Sequence, residues 1–345
     1  MTYTRQPSRS RIVDIAGYLP EKILANEELA QLFPDWSTDK ILSKTGIALR
    51  HIAAEDETAG DLAFKAAKNL FLKGRCKPEE IDFLILCTQA PDYILPTTAC
   101  VLQHRLGIPT NVGALDINLG CSGFVYGLAL AKSLIETGSA TNVLLLTADT
   151  YSKFIHPLDK SVRTLFGDGA AATYISATAD NESGDIGPFV FGTDGSGAHN
   201  LIVEAGGFRR PASPETAQAR PDDSGNTRSL QNLYMNGAEV MAFSLVEVPK
   251  AVDALLLKMG KSREDIDFFV LHQANKFMLE ALRKKLKIAP EQLPIHIENL
   301  GNTVSSTIPL ALCELLDQGR IKPGSRHVLV GFGVGYSWAA SAISF

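Results

Sequence analysis

Residues 118–121 read Asn-Leu-Gly-Cys, and residues 299–302 read Asn-Leu-Gly-Asn. Each tetrad is followed by a helix-like stretch of small and apolar residues. Two further pairs of segments match in the same order and at nearly the same separation: residues 78–90 with 263–274, and residues 142–146 with 327–330. Ordered matches at one spacing indicate an internal duplication of a half-chain unit. The duplication predicts that Cys121 and Asn302 lie at equivalent places in two copies of one fold, which a pseudo-two-fold arrangement can bring together, with His272 nearby.

The composition is that of an ordinary globular chain. Its 345 residues are 45% hydrophobic and 21% charged, and the chain is long enough for two domains. A net charge of −5 argues against nucleic-acid binding. No apolar run approaches the roughly 20 residues that span a bilayer, and residues 1–11 lack the apolar core of a secretory signal. We therefore expect no membrane association and, most simply, a cytoplasmic location.

The cysteines give no sign of a disulfide framework or a zinc site. They are odd in number, widely spaced and without a Cys-x-x-Cys pair. A reducing compartment fits this pattern. We expect four of the five to be buried structural residues, namely Cys76, Cys87, Cys100 and Cys313.

Strand and helix patterns alternate along both halves, which predicts an α/β architecture with mostly parallel sheets and helices on their faces. In residues 1–180, strands are predicted at 12–16, 81–87, 114–117, 142–148 and 170–176, with helices at 61–73, 97–106 and 123–137. In residues 181–345, helices are predicted at 237–259, 276–287 and 306–317, with strands at 266–271, 295–297, 327–331 and 339–345. Residues 206–231 lack periodicity and predict a long surface loop that could include short strands, more simply a connection than a regulatory element.

Cys121 lies between a predicted strand and a predicted helix. A cysteine at a helix N-terminus meets unpaired N–H groups and the positive end of the helix dipole, and both favour the thiolate. Gly120 and Gly123 let the backbone turn sharply beside it. This context makes Cys121 a candidate nucleophile, with a buried structural cysteine as the alternative at about even odds.

His272 and Asn302 are the other candidates for chemistry. His272 ends an apolar strand, at the edge of a sheet where clefts form, although a core histidine is an alternative. Asn302 could simply cap the following helix, but its equivalence to Cys121 suggests an amide donor that stabilises an oxyanion. The glycine-rich turn that begins at Phe332 could point N–H groups at the same oxyanion, or it could be a plain turn.

Together, Cys121, His272-Gln-Ala-Asn275, Asn299-Leu-Gly-Asn302 and Gly331-Phe-Gly-Val-Gly335 resemble the thiolase-like condensing enzymes, most closely the beta-ketoacyl-ACP synthase III family. Phe166-Gly-Asp-Gly-Ala170, Lys44-Thr-Gly-Ile47 and Trp338 strengthen the resemblance, which covers nearly the whole chain. It implies a homodimer of thiolase-like, duplicated αβαβα five-layer subunits with the active site at the foot of a tunnel. It also implies no metal and no cofactor other than coenzyme A thioesters as substrates.

The resemblance implies a role for each candidate. Cys121 would attack an acyl-CoA thioester and hold the acyl group, with the backbone N–H groups of Cys121 and Val334 as the oxyanion hole. A malonyl thioester, on acyl carrier protein, would then lose carbon dioxide while His272 and Asn302 donate hydrogen bonds to its oxygen. The resulting enolate would attack the acyl-Cys and give a 3-oxoacyl thioester.

Other reactions and roles remain open from the sequence. One is a synthase III-like acyltransferase of secondary metabolism that moves the acyl group to a hydroxyl or amine acceptor without decarboxylation. A thiolase is disfavoured because residues 314–345 lack the second cysteine that thiolases use as a base. A carrier or scaffold protein with the same fold would show no acylation of Cys121.

The resemblance also implies a coenzyme A and carrier-protein surface. Lys44 and Thr45 stand where the family has Arg-Thr near the coenzyme A nucleotide, and Lys40 stands where a Trp commonly stacks on adenine. Asn275 and Lys276 follow the histidine, at positions implied to contact the same ligand. The basic pair Lys284 and Lys285 would receive the acidic carrier protein, although a merely solvated helix face is an alternative.

Three positions match the family's acyl pocket, namely Leu95, Phe166 and Phe332. Leu95 corresponds to a residue that reaches into the partner subunit. Many family members have Phe there, so the smaller Leu95 suggests room for a primer larger than acetyl.

Overall fold

The computed structural model describes residues 9–178 and 183–345. Its strands are β1 (Arg9–Tyr18), β2 (Lys22–Ala25), β3 (Leu49–Ile52), β4 (Phe83–Cys87), β5 (Gly113–Ile117), β6 (Asn142–Asp149), β7 (Gly169–Thr178), β8 (Asp185–Thr193), β9 (Leu201–Val203), β10 (Arg220–Pro221), β11 (Thr227–Arg228), β12 (Leu233–Met235), β13 (Phe268–Leu271), β14 (Arg326–Gly333) and β15 (Ser337–Ser344). Its helices are α1 (Asn26–Leu32), α2 (Thr38–Thr45), α3 (Ala59–Leu72), α4 (Thr98–Leu106), α5 (Gly123–Glu136), α6 (Lys160–Arg163), α7 (Gly237–Met259), α8 (Lys276–Leu286) and α9 (Thr307–Asp317).

The two main sheets share one strand order, as the internal duplication predicts. The first runs β1-β7-β6-β4-β5 and the second runs β8-β15-β14-β13. In each sheet one parallel ladder, β4–β6 or β13–β14, is followed by an antiparallel one, β6–β7 or β14–β15. The boundary expected between the two halves, at residues 180 and 181, lies outside the described residues. Residues 1–8, part of the segment 1–11 that was expected not to be a secretory signal, also lie outside them.

Among the described residues, the second sheet has no counterpart of β5. The sequence analysis predicted a short strand at residues 295–297, but that prediction is wrong, because these residues form no strand. Side-chain and turn bonds take the place of a ladder there. The N–H of His296 donates to Oε1 of Gln273 at 2.9 Å, and the N–H groups of Leu300 and Gly301 turn back to the carbonyl of Ile297.

The sheets are mixed, and the expectation that they are mostly parallel is not met. Three of the ladders in the two main sheets are parallel and four are antiparallel. The sequence pattern could not show this because β6, β7, β14 and β15 are covered on both faces. An antiparallel strand that is buried on both faces loses the apolar–polar alternation that normally marks it.

Helices and sheets stack in five layers, αβαβα. The helices α3 and α4 cover the outer face of the first sheet, and α7 covers the outer face of the second, with α8 packed beside it. Between the sheets lie α5 and α9, whose apolar residues, among them Phe124, Leu128, Ile308 and Leu312, form one buried cluster with both sheets. The turns that precede α5 and α9 carry Cys121 and Asn302, so this central layer positions the site.

Residues 206–231 form the expected long connection with two short strands, β10 and β11. The segment is tied to the body of the protein: the N–H of Thr227 donates to the carbonyl of Leu158 at 3.1 Å, and Arg228 pairs with Asp159 at 2.7 Å. Among the described residues, no helix combines the length and the apolar character needed to cross a bilayer.

Candidate active site

Cys121, His272 and Asn302 line one cavity of about 420 Å³. Cys121 lies in the turn between β5 and α5, His272 directly follows β13, and Asn302 precedes the short turn of 3-10 helix that leads into α9. Each is almost fully buried, with 5%, 2% and 5% of its surface exposed. The three side chains that the sequence analysis expected to come together therefore line the same cavity.

Burial, more than the helix N-terminus, determines the state of the Cys121 thiol. Burial raises its pKa to about 12, helped by the negative charge of Asp149, while the N–H groups of Cys121 and Val334, which point at Sγ, oppose this only in part. The expectation that the helix N-terminus would favour the thiolate is thus wrong for the unliganded protein, because desolvation penalises the charged form more strongly. These two N–H groups are the ones that the sequence analysis assigned to an oxyanion hole, and both point at the sulfur.

Close packing against the sulfur depends on one glycine. A Cβ on Gly333 would lie 3.0 Å from Sγ of Cys121. The end of β14 can approach the sulfur this closely only because that side chain is absent.

His272 is neutral and fixed in orientation. Burial lowers its pKa to about 3. Its Nδ1 lies 2.7 Å from the hydroxyl of Thr307, its Nε2 lies 3.5 Å from Nδ2 of Asn302, and its ring meets the ring of Phe332 edge-on. A neutral imidazole held this way can accept a proton or donate a hydrogen bond, depending on its tautomer.

Asn302 is oriented by a bond behind it. Its Oδ1 accepts the N–H of Val304 at 2.9 Å, which leaves Nδ2 facing His272 and the cavity. The alternative role of Asn302 as a cap of α9 is not observed, because Ser306 occupies that position. A parallel bridge between Asn302 and Phe166 fixes the backbone of this segment against the other half.

The rest of the cavity is largely apolar near the sulfur. The predicted pocket residues Phe166 and Phe332 both line it, and the sequence analysis missed several others, namely Leu165, Leu201, Met235, Val240 and Met278. Leu95 lies outside the cavity of this single chain and is 79% exposed, beside Tyr93 at 59% and Ile94 at 83%. These three form a contiguous exposed apolar segment.

A tryptophan and lysines lie at the outer end of the cavity. Trp36 and Lys160 line it, and the Nζ atoms of Lys40 and Lys44 each lie 5.6 Å from the centre of the Trp36 ring. The sequence analysis missed Trp36 and Lys160. A Trp one helical turn before Lys40, itself one turn before Lys44, was the signal that could have found Trp36.

The other residues expected at the coenzyme A site differ in whether they reach the cavity. Asn275 lines the cavity and also caps α8, accepting the N–H of Met278 at 2.8 Å. Lys276 is exposed, and its side chain packs against Gly46: a Cβ on Gly46 would lie 2.3 Å from Cβ of Lys276. Thr45 is buried, and its hydroxyl donates to the carbonyl of Ile41 and accepts the N–H of Ile47, so the structure does not bring it to the cavity.

Lys284 and Lys285 are exposed near the end of α8. Asn275 caps the start of that helix at the cavity. At 1.5 Å per residue, the two lysines lie roughly 14 Å along the axis from it. They are thus on the outer surface near the cavity and not inside it.

Across residues 9–178 and 183–345, no three His, Cys, Asp or Glu side chains are grouped so that they could hold a metal ion. The five cysteines all lie in these ranges and are free. Cys76 and Cys87 are buried as expected, but the same expectation is wrong for Cys100, which is exposed, and for Cys313, which is partly exposed.

Comparison with known proteins assigns the chain to a family. Models of 3-oxoacyl-[acyl-carrier-protein (ACP)] synthase III and of its C-terminal region match residues 115–195 and 256–345. A beta-ketoacyl-[acyl-carrier-protein] synthase III of Caldanaerobacter subterraneus subsp. tengcongensis is 39% identical over 97% of each chain.

Solved structures agree. A crystal structure of a 3-oxoacyl-(acyl-carrier-protein) synthase III is 63% identical, covers 98% of this chain and 100% of its own, and superposes with a TM-score of 0.95. A 3-oxoacyl-(acyl-carrier protein) synthase of Burkholderia xenovorans LB400 is 37% identical over 97% of this chain and 94% of its own, with a TM-score of 0.88. Fold and cavity together define a thiolase-like condensing enzyme. The chain belongs to the beta-ketoacyl-[acyl-carrier-protein] synthase III family.

Proposed function

We propose that the protein catalyses the decarboxylative Claisen condensation of an acyl-CoA primer with a malonyl thioester on acyl carrier protein, through an acyl-Cys121 intermediate. The observation that carries this proposal is the convergence of Cys121, His272 and Asn302 in one cavity, with two backbone N–H groups at the sulfur. The names of the relatives, which are acyl-carrier-protein synthases, support it. The product is a 3-oxoacyl thioester.

The first half-reaction acylates Cys121. The thiol is protonated at rest, and the neutral His272 in the same cavity accepts its proton as the sulfur attacks the thioester carbonyl. The N–H groups of Cys121 and Val334 receive the negative charge on the carbonyl oxygen. Coenzyme A then leaves as a thiolate and takes a proton from water, while His272 keeps the proton of Cys121 on Nε2.

The second half-reaction uses Asn302 and His272 as donors. As the malonyl group loses carbon dioxide, the electron pair of the broken bond passes to the thioester oxygen, where Nδ2 of Asn302 and Nε2–H of His272 stabilise it. This proton on Nε2 is the one that His272 accepted from Cys121; Nδ1–H donates to the hydroxyl of Thr307, whose own proton goes to the carbonyl of Val304. The enolate carbon attacks the acyl-Cys carbonyl, and the sulfur of Cys121 leaves as a thiolate that takes its proton back from His272. Preorganised donors in a dry site stabilise such charge by several kcal/mol, roughly 3 per donor.

We assign the outer end of the cavity to coenzyme A. The face of Trp36 would stack on the adenine, and Lys40, Lys44 and Lys160 would pair with its phosphates, because flat aromatic faces and nearby cations suit a nucleotide. Asn275 would contact the pantetheine arm where it passes the start of α8. The basic pair Lys284 and Lys285 would receive the acidic carrier protein.

The acyl group of the intermediate would lie against Phe166 and Phe332. We propose a homodimer in which the exposed segment of Tyr93, Ile94 and Leu95 is covered by the partner subunit, since contiguous apolar residues at these exposures mark an interaction surface. Leu95 would thereby help to close the partner's acyl pocket. We place the enzyme in the cytoplasm, where a reducing environment keeps Cys121 a free thiol.

Condensation is favoured over acyl transfer to a hydroxyl or amine. Such a transfer forms no enolate and needs no pair of donors for one, whereas Asn302 is held with its N–H₂ facing His272. The direct test is intact-mass analysis with a panel of acyl-CoA primers, followed by malonyl-carrier protein. An acyl adduct that the malonyl substrate then removes, with release of a 3-oxoacyl thioester, supports the proposal, and absence of any adduct contradicts it.

A further inference from the structure

A buried carboxylate that the proposed reaction does not use lies beside the catalytic cavity. Asp149, at the end of β6, is fully buried. Its Oδ1 accepts the N–H of Gln89 at 2.8 Å, and its Oδ2 accepts both the hydroxyl of Ser305 at 2.5 Å and the N–H of Ser305 at 3.3 Å. The carboxylate therefore joins the first half of the chain to the segment that carries Asn302.

The residue between Asn302 and this anchor is in a strained conformation. Val304 has φ +56°, in the left-handed region that β-branched residues rarely adopt. Such a conformation costs about 1–3 kcal/mol and persists only where the surroundings enforce it.

The strain has a consequence for Asn302. In this conformation the N–H of Val304 donates to Oδ1 of Asn302 at 2.9 Å. That bond occupies the amide oxygen and leaves the amide nitrogen facing Nε2 of His272 and the cavity. Because Ser305 is fixed, an extended Val304 would keep this bond but turn the segment that carries Asn302, and with it the amide nitrogen, away from His272.

Two contacts enforce the strained conformation. The carbonyl of Val304 accepts the hydroxyl of Thr307 at 3.1 Å. On its other side, Ser305 is fixed by Asp149 through both its N–H and its hydroxyl. A hydrogen bond from a hydroxyl to a carboxylate in a buried site is among the stronger ones in proteins, so the larger constraint comes from Asp149.

We propose that Asp149 is a positioning residue for the decarboxylation step: through Ser305 it holds Val304 in the left-handed conformation and thereby keeps the Asn302 amide turned toward the thioester oxygen. The inference rests on the function proposed above and deepens it, since it names a residue that serves one half-reaction and not the other. Asp149 itself touches no substrate.

The test measures the two half-reactions separately in the full-length enzyme. Acylation is followed as the mass increase of Cys121 with an acyl-CoA, and decarboxylation as carbon dioxide released from malonyl-carrier protein. In Ser305→Ala, acylation stays within about twofold of the parent enzyme, and in the isosteric Asp149→Asn it does not fall, because the lost charge only lowers the pKa of Cys121. Decarboxylation falls at least tenfold in both variants. If one variant folds poorly, as thermal unfolding would show, the other gives the same readout.

Ser306→Ala is the matched control. Ser306 is the next residue and is equally buried, but its hydroxyl bonds to Thr147 at 2.9 Å and to the carbonyl of Gly169 at 3.2 Å, not to Asp149. The Ser306→Ala variant should leave the ratio of the acylation rate to the decarboxylation rate unchanged. The double variant Asp149→Asn/Ser305→Ala loses no more decarboxylation activity than the more impaired of the two single variants, because the two residues act through one contact.

Two results would overturn the positioning role: a proportional loss of both half-reactions in Ser305→Ala and Ser306→Ala alike, or additive losses in the double variant. Either leaves the proposed function standing if the parent enzyme condenses. A parent enzyme that forms no acyl adduct would instead refute the proposed function.

Discussion

Nε2 of His272 and Nδ2 of Asn302 lie 3.5 Å apart, although the two residues come from different connections. Each side chain is fixed from its far side. The hydroxyl of Thr307 lies 2.7 Å from Nδ1 of the imidazole, and the N–H of Val304 holds Oδ1 of the amide. Their near nitrogens are thus presented together to the cavity, so that charge on a thioester oxygen can be stabilised there without reorganisation.

Cys121→Ala should abolish covalent acylation, because it removes the only nucleophile assigned to the cavity. Intact-mass analysis after incubation with acyl-CoA measures this directly. Cys87→Ala is a suitable control, since Cys87 is also buried and its thiol donates to the carbonyl of Leu119 nearby. An adduct retained in Cys121→Ala and lost in Cys87→Ala would move the nucleophile to the other sulfur.

The raised pKa of Cys121, about 12 in the unliganded protein, predicts an unusual pH profile. Thiolate is the reactive form, and an ordinary thiol is mostly ionised above roughly pH 8.5. Alkylation of Cys121 by iodoacetamide should therefore keep rising beyond pH 9 instead of levelling off. Peptide mapping of the alkylated protein gives the rate at each pH.

Asp149→Asn removes a negative charge that raises this pKa, so its profile for Cys121 should shift to lower pH. A plateau below pH 9 in the parent enzyme would show that the thiol is less desolvated than the structure indicates. An unshifted profile in the variant would show that Asp149 carries no charge in this range.

From the sequence alone, the convergence of Cys121, His272 and Asn302 in one cavity and most of the fold could be predicted, because the duplication is visible as matched strand and turn segments. Prediction from the sequence failed where contacts between distant residues determine the local structure. Residues 295–297 look like a strand, but Gln273 bonds the backbone of His296, and the apolar segment of β8 was overlooked in an unmatched part of the chain. Burial also reversed the expected ionisation of Cys121, and no local pattern reports desolvation.

The peripheral residues were harder to predict for a related reason. The comparison of motifs found Lys40 where a stacking Trp is common, whereas the structure has the aromatic ring at Trp36, four residues earlier, with the Nζ atoms of Lys40 and Lys44 over it. Thr45 matched the motif but its hydroxyl is bonded within its own turn. Motif position does not determine which way a side chain points.

Trp36→Ala should raise the KM for acyl-CoA about tenfold, since stacking on a base contributes roughly 1–3 kcal/mol. The maximal acylation rate should change little, because the proposed stacking on adenine does not involve the reacting thioester. A short thioester without the nucleotide provides the control and should react equally well with both enzymes. Equal KM values for acyl-CoA in the parent and the variant would remove Trp36 from the coenzyme A site.

Reversing the charge of the exposed pair, as Lys284→Glu/Lys285→Glu, should raise the KM for malonyl-carrier protein by about tenfold at low salt and less at high salt. The KM for acyl-CoA should not change. Lys322→Glu is the matched control: Lys322 is also exposed but precedes β14, at the opposite end of that strand from Gly333 and the cavity. A similar effect in the control would indicate a general charge effect and no docking site.

The fate of the acyl adduct in Asn302→Ala tests the central claim most directly. The variant is incubated with acyl-CoA, then with malonyl-carrier protein, and the mass of the protein is followed beside the parent enzyme and Asn226→Ala, which changes another asparagine of the cavity lining. We predict that all three acquire the adduct, that the parent and Asn226→Ala lose it to condensation, and that Asn302→Ala keeps it, with turnover reduced about 100- to 1,000-fold. Release of the adduct by Asn302→Ala at the parent rate would contradict the account.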